Sequence, residues 1–219
     1  MTQHVKFPRI LHLPWSEAVD EQTDRVMSQS EVERSFAGRE VVVTEKMDGE
    51  NISMYRDGLH ARSLDGRHHP SRNRVKAFHA SLAHLIPEGW RICGENLYAR
   101  HSIAYSGLPS YFLAFAAYDA QNRMLPWDAF VRFCGGLGLD HVPLIYRGIY
   151  EEEKVRECYT GLSSFGGSVQ EGYVIRRAET ISWDMHSRHI AKYVRKGHVQ
   201  TDSQWMHQAV IPNGLAENK

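Results

Sequence analysis

Apolar and polar positions along the chain change period several times, and each change predicts an element. Val41-Val42-Val43-Thr44 is a β-branched run that predicts a strand. It leads straight into Glu45-Lys46-Met47-Asp48-Gly49, where Asp-Gly signals a turn. Asn51-Ile52-Ser53-Met54-Tyr55 alternates, Asp57-Gly58 predicts a two-residue hairpin turn, and 59–63 returns as a second strand. At Pro70-Ser71 the period becomes helical, with Val75, Phe78, Leu82 and Leu85 at spacings of three and four until Pro87. Residues 90–96 read as a strand with a polar tip, and 111–119 as a longer strand apolar on both faces. A helix from Pro126 is expected to close at Gly135-Gly136. A short strand over 142–146, a charged helix over 151–159 and a Gly/Ser-rich loop over 161–168 follow.

Residues 171–177 and 190–196 predict two adjacent strands. Period two puts Glu171, Tyr173 and Ile175 on one face of the first, with Val174 and Arg176 on the other. In the second, Lys192, Val194 and Lys196 share a face. Before the first strand, Pro8 and Pro14 forbid a continuous helix, and the polar, weakly helical stretch 16–36 is expected to pack across the outside. The organisation expected is an N-terminal extension over 1–40, a principal domain over 41–200 and a tail over 201–219. Trp205 and Met206 predict that the tail folds back.

Composition changes this picture little. At 219 residues, 42% hydrophobic and 24% charged, the chain suits one globular domain with a real core. No apolar run reaches the ~18 residues of a membrane span, and no secretory leader precedes the first element. Cys93, Cys134 and Cys158 lack metal-ligand spacing, so the expected setting is the cytoplasm, without a membrane. The 26 basic and 26 acidic residues cancel, which gives no global field for nucleic acid. One local exception is 62–76, where Arg62, Arg67, Arg72, Arg74 and Lys76 face a single Asp65. The thirteen histidines are scattered, with His68-His69 the only adjacent pair.

The candidate chemistry starts at Lys46. A lysine that attacks phosphorus must be neutral, although its ordinary pKa is roughly 10.4. Burial or a nearby cation lowers that value. Asp48 would then contact a sugar or a metal-bound water, and Gly49 permits the sharp turn. Lys-x-Asp-Gly alone is weak evidence, and a surface salt bridge at a strand-to-turn corner is its ordinary reading. Two downstream stretches change its weight: Glu171-Gly172-Tyr173-Val174-Ile175-Arg176 and Ala191-Lys192-Tyr193-Val194-Arg195-Lys196.

In this order the three stretches resemble motifs I, IV and V of the covalent nucleotidyltransferases, the polynucleotide ligases and RNA capping enzymes. They are most similar to the phage nick-sealing RNA ligases. The resemblance implies an α+β nucleotidyltransferase (adenylation) domain, with antiparallel sheets flanked by helices around an ATP cleft. Lys46 matches the lysine that becomes joined to AMP, and Glu45 the residue whose main chain meets adenine. Asp48 stands where the phage enzymes carry histidine and where DNA ligases and capping enzymes carry aspartate. Asn51 matches a motif I asparagine, Arg62 a phosphate-contacting arginine and Glu95 a ribose-contacting glutamate. Phe115 matches the aromatic that stacks on adenine, with a plain core phenylalanine as the alternative. Glu171 resembles the metal-binding glutamate, and Arg176 falls where lysine is usual. Lys192 matches the first lysine of motif V. The second lysine position holds Val194, which leaves Lys196 as the candidate for that role.

The cofactors implied are ATP and Mg²⁺ or Mn²⁺. The activity implied is RNA ligation through a lysyl-AMP intermediate, in an RNA repair setting. Only 23 residues follow Lys196, so no appended OB-fold is expected there. A nicked RNA duplex and a separate end-binding or end-repair protein are the partners this implies. A DNA ligase, a capping guanylyltransferase and a non-catalytic RNA-binding module are the alternatives.

Overall fold

The computed structural model of the chain describes residues 4–62, 69–198 and 210–217. The strands within them are β1 (Leu11–His12), β2 (Glu40–Lys46), β3 (Glu50–Tyr55), β4 (Gly58–Ala61), β5 (Arg91–Asn96), β6 (Phe112–Tyr118), β7 (Leu144–Ile149), β8 (Gly172–Arg177) and β9 (Ile190–Val194). They form a five-stranded sheet of order β1-β9-β8-β2-β7 and a four-stranded sheet of order β4-β3-β5-β6. All pairings are antiparallel except the short one between β1 and β9. The helices are α1 (Gln29–Phe36), α2 (Asn73–Leu82), α3 (Trp127–Leu137), α4 (Glu152–Glu157) and α5 (His186–His189).

Alternation along the strands assigns each sheet an outer apolar face and an inner face toward a shared cleft. On the five-stranded sheet, Val41, Val43, Tyr173, Ile175, Ala191 and Tyr193 point outward into a core with Val32 and Phe36 of α1 and Val155 of α4. α1 starts in a capping box, Ser28 bonding the Glu31 backbone and Glu31 returning to Ser28, which satisfies two end donors at once. On the four-stranded sheet, Ile52, Met54, Ile92 and Phe112 pack on Val75 and Leu82 of α2 and Phe130 and Cys134 of α3. The inner residues of both sheets, among them Thr44, Lys46, Asn51, Glu95, Val174 and Lys192, are left to line the cleft.

Several expectations shift. The hairpin pairs Tyr55 with Gly58, so its turn is Arg56-Asp57 rather than Asp57-Gly58. α3 runs through Gly135-Gly136 and stops at Gly138, whose φ of +65° is the left-handed cap. Burial of Phe130 and Cys134 overrides the weak helix propensity of the two glycines. The last strand ends at Val194, two residues before Lys196. Within 16–36 only α1 is helical and covers the outer face, whereas residues 18–20, 23 and 24 line the cleft. Residues 210–217 do return to the domain: Asn213 is buried, accepts from the Tyr105 N–H at 2.9 Å and donates to the Leu97 carbonyl at 2.8 Å. Trp205, Met206, Arg67 and His68 lie outside the described residues.

Gly172 is required by close approach. An added Cβ would overlap the Tyr193 carbonyl oxygen and sit 3.1 Å from the Val194 Cα, both backbone of the neighbouring strand. Gly172→Ala is therefore expected to lower the melting temperature by several degrees, since 1 kcal/mol moves a domain of this size by roughly 2–4 °C. Gly135→Ala meets nothing within 4 Å and lies in a helix. It is expected to raise stability by about 0.5–1 kcal/mol. Thermal unfolding of the two variants checks both signs.

Candidate active site

The cleft between the sheets encloses about 890 Å³. β2 ends in it at Lys46, and β8 begins beside it, with Lys46 paired to Gly172. Regular alternation would turn Glu171 to the outer face, beside Tyr173. Instead Glu171 precedes the strand, and its carboxylate swings inward to lie 2.6 Å from the Lys46 Nζ. The shared face of Glu171 with Tyr173 and Ile175 is thus corrected: those two lie in the outer core, and Glu171 lies in the cleft.

Asp48 follows on the turn and is firmly held. Its Oδ2 accepts from the Ser102 N–H at 2.9 Å, the Ser102 hydroxyl at 2.7 Å and the Ile103 N–H at 2.7 Å. Its own N–H donates to the Tyr105 hydroxyl at 2.9 Å. On the opposite sheet Asn51 pairs with Glu95, which brings both to the cleft wall. Neighbouring Glu50 is gripped by both Nε and Nη2 of Arg72. Arg62, just beyond β4, also lines the cleft.

Phe115 reaches the cleft through an irregularity. Cys93 pairs with Ala116 and Gly94 with Ala114, so Phe115 is the extra residue of a β-bulge. A bulge bends the strand and re-aims a side chain. Phe115 lines the cleft, with Phe7 edge-on at 5.2 Å. It is partly buried and packs against two apolar clusters, so it is a wall residue rather than a filled core position.

Lys192 pairs with Val174 and shares its inner face, which carries it to the cleft. Lys196 does not arrive. It is exposed in the turn after β9, with its N–H bonded to the Glu17 carboxylate at 2.7 Å, and it is no part of the cleft wall. The strand-face argument for Lys196 fails because the strand stops at Val194. Arg176 lines the cleft but is buried, its guanidinium tied to the carbonyls of Arg177 and Leu125. Burial lowers its pKa to about 10. Glu45 faces away from Lys46, and its Oε2 accepts from the Ser164 N–H at 2.9 Å.

The electrostatics are those of cations and carboxylates packed together out of water. Burial pulls the Lys46 ammonium down, but Glu171, Glu95 and Asp48 outweigh it and hold Lys46 above its ordinary value. The expectation of a depressed lysine is therefore reversed in the protein alone. Glu171 is lowered: burial opposes ionisation, and Lys46 with His198 overcomes it. Lys192 is lowered to about 8 by burial and then by the charge of Lys46. Glu95 is pushed up to about 8 by burial, against the pull of Lys46 and with the push of Glu171, Asp48 and Glu50.

His198 is the residue that sequence reasoning missed. From the turn after β9 its ring reaches back to 3.2 Å from Glu171 and 3.8 Å from Asp48. Nothing in its local sequence marks it, since the fold-back depends on the turn at 196–197. The same holds for Ser102 and for the Glu50–Arg72 pair. Of the adjacent histidines, His68 lies outside the described residues and His69 caps the 3₁₀ turn at Pro70–Arg72. A divalent cation fits the new cluster by donor chemistry. Asp48, Glu171 and His198 are buried with donor atoms within 4.8 Å of one another, and Glu171 Oε2 has no hydrogen-bond partner among the described residues. Glu95 Oε2, Asn51 Oδ1 and Arg176 Nη1 are likewise buried without one.

Two sheets closing on a strand-end lysine, with carboxylates and a second lysine around it, define a nucleotidyltransferase domain of the ligase type. The RNA ligase family profile matches residues 39–194, and the chain belongs to that family. A comparison with curated protein sequences finds no match. Among solved structures, the chain is similar to a Naegleria gruberi RNA ligase with PPi, at TM-score 0.54 and 18% identity, over 89% of this chain and 59% of that one. A point mutant of that ligase with ATP and Mn is similar at the same TM-score and identity, over 86% and 56%. An archaeal ATP-dependent RNA ligase is similar at TM-score 0.51 and 19% identity, over 86% and 48%. The chain spans about half the length of these proteins, and what the likeness establishes is the fold.

Glu95 yields a signed expectation. Its pKa rises from an ordinary 4.5 to about 8 on folding, so folding favours the protonated form. Its contribution to stability is complete below about pH 4.5 and is lost as pH climbs toward 8. Glu95→Gln removes that ionisation. The variant's melting temperature relative to wild type is expected to grow by a few degrees between about pH 5 and pH 8. A flat difference in paired thermal melts would contradict the assignment.

Proposed function

We propose that this chain is the nucleotide-transferring domain of an ATP-dependent RNA ligase. The observation that carries the reading is Lys46 Nζ at 2.6 Å from Glu171, in a cleft that Lys192, Arg62 and Glu95 also line. Family membership supports RNA as the polymer over DNA, and the ATP and Mn held by a structural neighbour support the cofactors. Phe115 and Phe7 offer an apolar aromatic wall for the adenine. Glu95 and Asn51 face the ribose, and Arg62 and Lys192 neutralise the phosphates. Arg176 closes the wall behind, and the Glu45 main chain meets the base edge.

Lys46 Nζ attacks the α-phosphorus, a P–N bond forms and the bond to pyrophosphate breaks. Glu171 Oε1 is the acceptor within reach of the proton that Nζ must lose. A divalent cation held by Asp48, Glu171 and His198 would supply positive charge to the phosphate oxygens. The AMP then passes to a 5′-phosphate, and a 3′-hydroxyl displaces it to seal the strand. Positioning and charge account for most of such catalysis.

For the RNA itself, Arg74 stacks 4.9 Å over the Tyr98 ring and 5.6 Å over Tyr111, close in sequence to Arg72 and Lys76. Cation and aromatic faces together suit a nucleic-acid strand. Repair of nicked RNA in the cytoplasm, with a separate protein holding or mending the ends, is the setting that follows from this reading.

The test is incubation with radiolabelled ATP or GTP and a divalent metal, followed by a denaturing gel. Wild type is expected to give an acid-labile AMP adduct from ATP and none from GTP, and Lys46→Ala none at all. Label retained by Lys46→Ala would remove the central residue. Lys192→Ala is expected to cut the labelling rate by about 10²-fold or more, whereas Lys196→Ala stays within about twofold. Equal losses in the two lysine variants would restore Lys196 to the site.

A further inference from the structure

We infer that His198 is a direct metal ligand, and that it biases this site toward a first-row divalent cation such as Mn²⁺ over Mg²⁺. The inference deepens the ligase reading above and rests on it for the role of the cation. Its basis is the convergence of three buried donor groups on one point. His198 Nε2 lies 3.2 Å from Glu171 Oε1 and 3.8 Å from Asp48 Oδ1. Ser102 fixes the arrangement: its hydroxyl donates to Asp48 Oδ2 at 2.7 Å, and its oxygen lies 3.4 Å from His198 Nδ1. With a hydrogen on Nδ1, Nε2 can give its lone pair to a cation set between the carboxylates.

All three side chains are buried, with His198 2% and Glu171 1% exposed, so water screens little of the negative charge gathered there. The second oxygen of Glu171 is buried and without a hydrogen-bond partner among the described residues. The donor atoms span at most 4.8 Å. Two oxygens on opposite sides of one cation lie about 4–5 Å apart. The Ser102 contact on Nδ1 is the orienting second partner that ligating histidines usually have.

The nitrogen decides the metal. Mg²⁺ prefers oxygen and retains its waters, whereas imidazole raises affinity along the first-row series that begins at Mn²⁺. Carboxylates alone discriminate little. His198 is therefore a specificity-determining residue, delivered from the turn that follows β9.

The experiment uses the full chain without nucleotide and follows Mn²⁺ by electron paramagnetic resonance, with Mg²⁺ as competitor. Wild type is expected to bind Mn²⁺ and to show coupling of the bound ion to an imidazole nitrogen. His198→Ala and His198→Gln are expected to lose that coupling and about tenfold in Mn²⁺ affinity, with Mg²⁺ affinity changed by less than about threefold. Bound Mn²⁺ without nitrogen coupling in wild type, or folded variants with unchanged affinity, overturns the inference and leaves His198 as an imidazolium partner of Glu171. If His198→Ala does not fold, His198→Gln and the wild-type spectrum still decide. Lysyl-AMP labelling runs alongside. Adduct without nitrogen coupling sinks the metal ligand alone, and nitrogen coupling without adduct sinks the ligase reading alone.

Discussion

The ion pair between Lys46 and Glu171 is the constraint on which the site is built. Two opposite charges, one 23% and the other 1% exposed, are held at 2.6 Å at the meeting point of two strands. Taking such charges out of water is costly, and their attraction repays it only with good geometry and further partners. Those partners are visible in the way the neighbours are fixed. Asp48 is locked by three donors, Glu50 by Arg72, and Glu171 by both Lys46 and His198. Because Gly172 has no side chain, β9 can close on β8 and seal the carboxylate from beneath. Deleting Lys46 would therefore also strand Glu171, Glu95 and Asp48 as uncompensated neighbours, so any variant there needs a folding control.

The same crowding explains why the protein alone keeps Lys46 protonated. Three carboxylates outweigh burial. A lysine poised this way is stored as an ammonium and becomes a nucleophile only when charge nearby is neutralised or a base takes its proton. Lys192, pulled to about 8 by burial and by Lys46, shows the opposite balance two strands away in the same cleft. Two lysines on one sheet thus acquire opposite behaviour, carboxylates outweighing burial at one and burial with a neighbouring cation prevailing at the other, and propensity or hydropathy along the chain says nothing of it.

What was legible in the sequence follows from the range over which each feature is determined. Period-two runs such as 51–55 and the β-branched run before Lys46 gave the strands, because a strand's two faces are written in its own residues. Lys46, Asp48, Glu95 and Glu171 lie at or just beyond strand ends and Lys192 on the inner face of β9, and all five line the cleft. Features set by departures from regularity were not legible. The bulge that turns Phe115 inward depends on β5 and on the segment at Asp140 to Val142, which bonds Ala114 on its free side. Glu171 was named from its motif, but its face was misassigned because it lies one residue before its strand, where alternation no longer applies. Residues 18–20, 23 and 24 looked like an outer cover because the polarity of their segment was read as solvent exposure, when these five line a polar cleft.

The end of β9 shows how the turn beyond a strand, and not the strand alone, decides which side chain reaches the cleft. Val194 is fully buried and paired opposite Gly172. Lys196 is carried off by the turn toward Glu17. The polar group that does reach Glu171 comes four residues after Val194, through the turn at Lys196-Gly197, where Gly197 takes a φ of +73°. The Arg195 N–H bonds the Glu171 carbonyl at 3.0 Å and the His198 N–H approaches the Arg195 carbonyl at 3.4 Å, so the turn is anchored to the residue it serves. An imidazole differs from a lysine in the one respect that matters beside two carboxylates: it can offer an electron pair as well as a proton. The valine that completes the strand and the turn that returns His198 to Glu171 therefore act together: one closes the sheet, the other brings an imidazole to the carboxylates.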